Sequence, residues 1–201
     1  MTRLAERAGM IGPAWFGFIL ITLTILKYDF LRSLGWDPIH APTFDWPSGL
    51  ALGDYGWIMT LTFLLSGLML TVFASGLRLS LPRSRWTFYS TFALSLAGIF
   101  LAGLAFTTDP TIRSTPATWH GRLHDASFVM LGLTLTAAML LLGFAFRQSA
   151  AWRGLSLFTW LTVALTGPTF ALKGAAFYLF LLLILIWNEI VAIRLNSLNL
   201  N

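Results

Sequence analysis

A chain of 201 residues that is 57% hydrophobic and only 10% charged lacks the polar surface of a water-soluble domain, which carries about 25% charged residues. Its mean hydropathy of +0.75 makes the bilayer its solvent, where backbone groups must be satisfied inside helices or closed barrels. The formal charge of +5 comes from dispersed arginines with no basic run, which excludes a nucleic-acid partner, and the absence of cysteine excludes disulfide, zinc-knuckle and thiol chemistry.

A spanning helix needs roughly 20 mostly apolar residues. Six segments meet that condition and predict an all-α, six-transmembrane-helix bundle built as one domain over residues 1–201. The first segment, 9–26, runs too long for a signal peptide and lacks a small-residue cleavage site after it, so it reads as a retained helix. A long connection, 27–54, follows. It contains Trp36, Pro38, His40, Pro42, Phe44, Trp46 and Pro47, a composition expected to fold against the membrane surface. The second and third segments, 55–77 and 86–107, are joined by a short arginine-rich loop. Gly67, Gly76, Gly98 and Gly103 recur along them and permit close helix packing. A second long connection holds Pro110, Pro116 and Trp119 and leads to the fourth segment, 125–146. The fifth, 154–172, is interrupted by Gly167-Pro168, which is expected to kink or end it. Lys173-Gly174-Ala175 leaves almost no loop before the sixth, 176–193, so these two form a tight antiparallel hairpin.

Orientation follows from the positive charges. One side carries Arg3, Arg7, Arg78, Arg83, Arg85, Arg147, Arg153 and Arg194, the other Lys27, Arg32, Arg113, Arg122 and Lys173. The richer side is cytoplasmic by the positive-inside rule, which places both termini there and the two long connections outside. Asp29, Asp37, Asp45, Asp54, Asp109 and Asp125 all fall on the outer side. The expected location is the cell membrane, crossed several times.

Chemistry concentrates in Trp119-His120-Gly121-Arg122-Leu123-His124-Asp125. His120 and His124 share a face if both are helical. Such a pair can grip a metal ion, with Asp109 or Asp125 adding oxygen ligands; zinc or iron would suit it, although no cofactor is assignable. Histidine can equally act as acid or base. The plainer reading is that both cap or anchor the helix. Asp109 at the end of the third segment opposes the helix dipole and calls for a partner among His124, Arg113 and Arg122. The expected polar pocket is therefore lined by His124, Asp109 and Asp125 beneath the first long connection, with Asp54 nearby and His120 at its rim. Asn188 and Glu189 are the strongly polar pair deep within a predicted span. Intramembrane charges point to function by default, but Glu189 lies close enough to Arg194 to snorkel toward the interface and pair with an arginine there.

The layout resembles the membrane family known as domain of unknown function 998. The residues that carry the likeness are Gly9-Met10-Ile11-Gly12-Pro13, Gly53-Asp54-Tyr55-Gly56-Trp57, Phe106-Thr107-Thr108-Asp109-Pro110 and His120-Gly121-Arg122-Leu123-His124. The chain departs from the family pattern near Lys173. The resemblance implies a six-helix fold with the aspartate and histidine elements outside, and carries no activity with it.

Three function classes fit these features. The first is a non-catalytic membrane protein, such as an accessory subunit, scaffold or small-ligand or lipid binder, with membrane lipids and other membrane subunits as partners. The second is a membrane-embedded hydrolase acting on lipid at the outer leaflet, metal-dependent if His120 and His124 bind an ion. The third is a transporter, for which no inverted repeat with paired broken helices is evident. The non-catalytic class fits best.

Overall fold

The computed structural model describes residues 2–111, 116–171 and 176–199. Among these residues there are seven α-helices and no strand. Helix α1 spans Thr2–Leu26, the short α2 Tyr28–Ser33, α3 Gly56–Ser80, α4 Arg85–Gly103, α5 Trp119–Arg147, α6 Gly154–Ala171 and α7 Ala176–Asn199, with a 3₁₀ turn at Ser48–Ala51. Five helices, α1, α3, α4, α5 and α7, are long and apolar enough to cross a membrane; the apolar stretch Gly154–Gly167 of α6 is shorter.

Several boundaries differ from the sequence expectation. Helix α1 begins near the N-terminus, because Ala5 and Gly9 pack against Gly76 and Phe73 of α3 and so bury its first turns. Helix α4 stops at Gly103, short of Thr107, while α5 begins at Trp119 rather than 125, capped by Thr118, whose side chain accepts from the Gly121 amide. Gly167-Pro168 does not end α6, which continues to Ala171. The turn Lys173-Gly174-Ala175 and Arg113 lie outside the described residues.

The six long helices close into a ring. Each packs on its chain neighbour, α1 on α3, α3 on α4, α4 on α5, α5 on α6 and α6 on α7, and α7 returns to α1. Apolar association drives little between helices in lipid, so close van der Waals fit must do so. At Gly67 and Gly98 the α3 and α4 backbones approach so closely that a Cβ on either glycine would overlap the other helix. Gly103 faces Ser127 of α5 instead. Hydroxyl and indole contacts complete the ring, with Ser156 Oγ donating to the Gly143 carbonyl at 2.7 Å and Trp187 Nε1 to Thr159 Oγ1 at 3.0 Å. Outward positions stay apolar: Leu157, Leu161 and Leu165 of α6 and Phe18, Ile21 and Ile25 of α1 are exposed stripes at helical spacing, the pattern that hydrocarbon contact requires.

Two cores fill the ring. One, toward the chain termini, centres on Phe73, Leu77, Leu142, Phe146, Trp152 and Trp187. The other, toward the α1–α3 connection, centres on Phe16, Leu31, Trp36, Trp46, Leu50 and Phe63. These are called the terminal end and the cap end below.

Candidate functional site at the cap end

The α1–α3 connection folds into a cap because its polar groups find buried partners. Lys27 at the end of α1 is 6% exposed. Its Nζ donates to the Leu50 carbonyl at 2.9 Å and to that of Leu52. Burial pushes the Lys27 pKa down, with the Asp54 carboxylate opposing that shift. Trp36 Nε1 donates to the Pro42 carbonyl at 3.2 Å, and Trp46 Nε1 donates to Thr24 Oγ1 at 2.9 Å. The Trp46 ring meets Phe177 and Tyr178 of α7 edge-on, so the cap is seated on both α1 and α7.

Asp45 ties the cap to the α4–α5 connection. Its carboxylate accepts from the Thr111 amide at 2.9 Å and from Thr111 Oγ1 at 2.6 Å. The residue is 9% exposed and holds a φ of 54°, a left-handed conformation that aspartate tolerates better than most side chains.

Asp109 sits where the sequence reading did not put it. Since α4 ends at Gly103, Asp109 does not face the negative end of that helix. It accepts from the Thr118 amide at 2.8 Å and Thr118 Oγ1 at 2.7 Å, at the start of α5, where the dipole welcomes an anion. A Cβ at position 121 would overlap the Asp109 carboxylate, which is why a glycine opens this helix. His120 Nδ1 lies 2.9 Å from both Thr107 O and Thr118 Oγ1.

His124, one turn along α5, is 3% exposed. Its Nδ1 is 2.7 Å from the Phe106 carbonyl and 3.0 Å from that of Leu104, and its Nε2 is 2.8 Å from Ser48 Oγ. Carbonyls only accept, so Nδ1 carries a proton in this arrangement. These carbonyls are free because α4 has just ended and offers them no intrahelical amide.

A cavity of about 280 Å3 opens here. Asp45, Ser48, Thr108, Thr111, His124 and Asp125 are among its polar lining residues, and Trp46, Phe128 and Phe177 among its aromatic ones. Thus His124 and Asp125 reach one cavity. Asp109 and His120 meet at the neighbouring α4–α5 junction through Thr118, and Asp54 is exposed and acts on Lys27. Among the described residues no group of three or more His, Cys, Asp or Glu side chains is arranged to hold a metal ion. Ser48, Thr111 and Lys27 were not singled out from the sequence, and Asp45 stood only as one outer aspartate among six. The cluster Asp45-Trp46-Pro47-Ser48-Gly49 marks a turn, but nothing in its spacing points to Thr111 or His124.

Within α7, Asn188 Nδ2 donates to the Gly9 carbonyl of α1 at 3.4 Å, while Glu189 is half-buried. Arg194 turns its guanidinium to the Ala151 carbonyl.

No curated protein and no solved structure matches the chain. Residues 17–194 match the model of a family described as protein of unknown function, DUF998. That match runs from within α1 to near the end of α7 and takes in the whole cap end, so the chain belongs to the DUF998 family.

Proposed function

We propose that this is a six-span protein of the cell membrane, with both termini in the cytoplasm, that binds the headgroup of a small amphiphile in the cap-end cavity on the outer face. The carrying observation is that cavity, whose lining combines two carboxylates and several hydroxyls with the aromatic rings of Trp46, Phe128 and Phe177. Asp45 and Asp125 favour a ligand that donates, above all an ammonium or hydroxyl headgroup, while Trp46 and Phe177 suit the apolar part. The sixth span is supported by α6 itself, which sits in the ring between α5 and α7 with a leucine stripe outward. The orientation is supported by the excess of arginine at the terminal end.

Asp125 tests the reading, because it is exposed on α5 and lines the cavity. The full chain is placed in nanodiscs with equal amounts of ammonium-bearing zwitterionic and anionic phospholipid without an ammonium, and the retained lipid is read by native mass spectrometry. Preferential retention of the ammonium-bearing lipid is expected, lost in Asp125→Asn. Equal retention of both lipids, or an unaltered preference in the variant, would refute it. A reporter fused after Asn201 should be active only in the cytoplasm.

A further inference from the structure

We propose that Ser48 is a nucleophile activated by His124, and that the cap-end cavity cleaves the acyl bond of an amphiphile. This rests on the cavity being a ligand site and adds a reaction to it. Three groups stand in line: the Ser48 hydroxyl, the His124 ring and the carbonyls of Leu104 and Phe106. The proton on Nδ1 is fixed by those carbonyls. In the neutral ring, Nε2 is therefore the acceptor and Ser48 Oγ the donor, at 2.8 Å. A nucleophile, a base within hydrogen-bond reach and a third group that orients the base is the arrangement that activates serine hydroxyls generally. Here two carbonyls at the end of α4 replace the usual carboxylate. The Leu104 carbonyl is the C-cap of α4, at the negative end of that helix, and the Phe106 carbonyl follows just beyond it, so both present acceptor oxygens to the imidazolium that forms when His124 takes a proton.

The setting fits the chemistry. The imidazole is buried and held edge-on by the Phe63 ring at 6.4 Å. Ser48 opens a 3₁₀ turn behind Pro47 and is half-buried, and both Ser48 and His124 line the cavity. A hydrogen bond that served only to pin the cap would not need an open space beside it. A volume near 280 Å3 admits a headgroup and the adjoining carbonyl rather than a whole lipid.

The substrate class is a carboxylic ester or amide whose leaving group bears an ammonium or hydroxyl that Asp45 and Asp125 can accept from. Ser48 Oγ bonds to the carbonyl carbon as its proton passes to His124 Nε2. The tetrahedral intermediate collapses, its bond to the leaving oxygen or nitrogen breaks, and that atom takes the proton from Nε2. Water, deprotonated by the same Nε2, then attacks the acyl-serine, releasing the carboxylic acid and restoring the hydroxyl of Ser48. One water is consumed and nothing is oxidised or reduced.

The test needs no knowledge of the natural substrate. The full chain in nanodiscs is treated with a fluorophosphonate probe, which reacts with activated serine hydroxyls, and the adduct is mapped by mass spectrometry. The expected result is a single adduct at Ser48, absent in Ser48→Ala and formed at least tenfold more slowly in His124→Gln. Melting curves in detergent confirm that each variant folds. If His124→Gln melts early, the adduct site in the folded wild-type chain decides alone. No adduct, or an adduct at serines other than Ser48, overturns the proposal; a folded His124→Gln that labels at the wild-type rate overturns His124 as the base. Retention of ammonium-bearing lipid without labelling would leave the binding function standing and remove the reaction.

Discussion

At the terminal end, cations lie over aromatic rings: Arg78 over Phe88 at 4.8 Å, Arg85 over Trp86 at 4.9 Å and Arg147 over Trp160 at 5.7 Å. A cavity of about 410 Å3 lies beside Arg78 and Arg83 there. At the cap end, Lys27, Asp45 and His124 turn inward and take fixed partners far along the chain. The difference is one of where the ionic and polar groups are solvated. Arginine over a ring keeps its charge at the interface while its stem covers apolar surface. A group turned inward must be fully paired, because stripping one partner leaves the other buried and unsatisfied. Substitutions should therefore cost much more at the cap end than at the terminal end, provided that the bundle between them is rigid.

That rigidity supplies the largest expected effect. Gly98→Leu forces a side chain into Thr71 and the Gly67 backbone across the α3–α4 crossing. Overpacking of this kind costs about 3 kcal/mol or more where backbone rather than a flexible side chain is in the way. Gly132→Leu on α5 meets nothing within 4 Å and should melt like the wild type. Similar melting temperatures for the two variants in detergent would break the premise. The comparison itself is tested by Asp45→Ala, which leaves the Thr111 amide and hydroxyl without their acceptor and should cost about 1–3 kcal/mol. Its counterpart Arg78→Ala removes an exposed side chain and should stay within about 0.5 kcal/mol. Limited proteolysis of the 27–54 connection should open in the first variant only, and equal effects would erase the contrast between the ends.

Which parts of this were legible beforehand follows from the range of the interactions. Helices were legible because apolar runs report locally, and Gly98 announced close packing because small residues have few other uses inside a span. The boundaries of α4 and α5 differ from the sequence expectation because they are set by tertiary contacts. Asp109 stabilises an earlier start for α5 and needs Gly121 for clearance, yet in sequence Gly121 looks only like a helix weakener. Asp125 and His124 stand out in the sequence through their crowding beside His120, and both line the cap-end cavity. Ser48 was invisible because its partner is 76 residues away, and no local pattern encodes a separation of that kind. The cap as a whole is legible as folded, through its tryptophans and prolines, but not through Lys27, whose place at the end of α1 looks interfacial until its acceptors are found in the Leu50 and Leu52 carbonyls.

Lys27 gives a smaller effect with a definite sign. Its pKa is held below the ordinary lysine value of 10.5, chiefly by burial, so the unfolded chain binds this proton more readily. Stability then rises with pH between the folded value and 10.5. Below that window the charge is a constant burden on the cap. Melting in detergent should improve on approach to 10.5 from below, and the improvement should vanish in Lys27→Met. A slope unchanged by that substitution would assign the rise to other groups.

The smallest expected effect belongs to Asp37, which sharpens the comparison because it lies in the cap region but outside its buried part. Asp37 Oδ1 accepts from the Ile39 and His40 amides at 3.0 and 2.9 Å and faces His40 Nδ1 at 3.2 Å, while Oδ2 accepts from Arg32. These donors, the His40 amide foremost and then Arg32 and the Ile39 amide, hold the carboxyl well below the usual carboxylate range. The Asp37 side chain is 30% exposed and pairs only within its own surface turn, so the consequence is local. A carboxylate with a depressed pKa stabilises its turn at every pH above the unfolded value of 3.8, and that help fades as pH falls through the folded value. Amide protection at Ile39 and His40 should therefore survive acidification past 3.8 and fail only well below it. Asp37→Asn keeps a side-chain acceptor for both amides but gives up the ion pair with Arg32, so it should retain much of the protection and lose its dependence on pH. Asp37→Ala should expose both amides at any pH while leaving the melting temperature unmoved. A fall in melting temperature for Asp37→Ala comparable to that of Asp45→Ala would mean that this exposed turn shares the buried pairing of the cap, and burial would no longer account for the difference between the two ends.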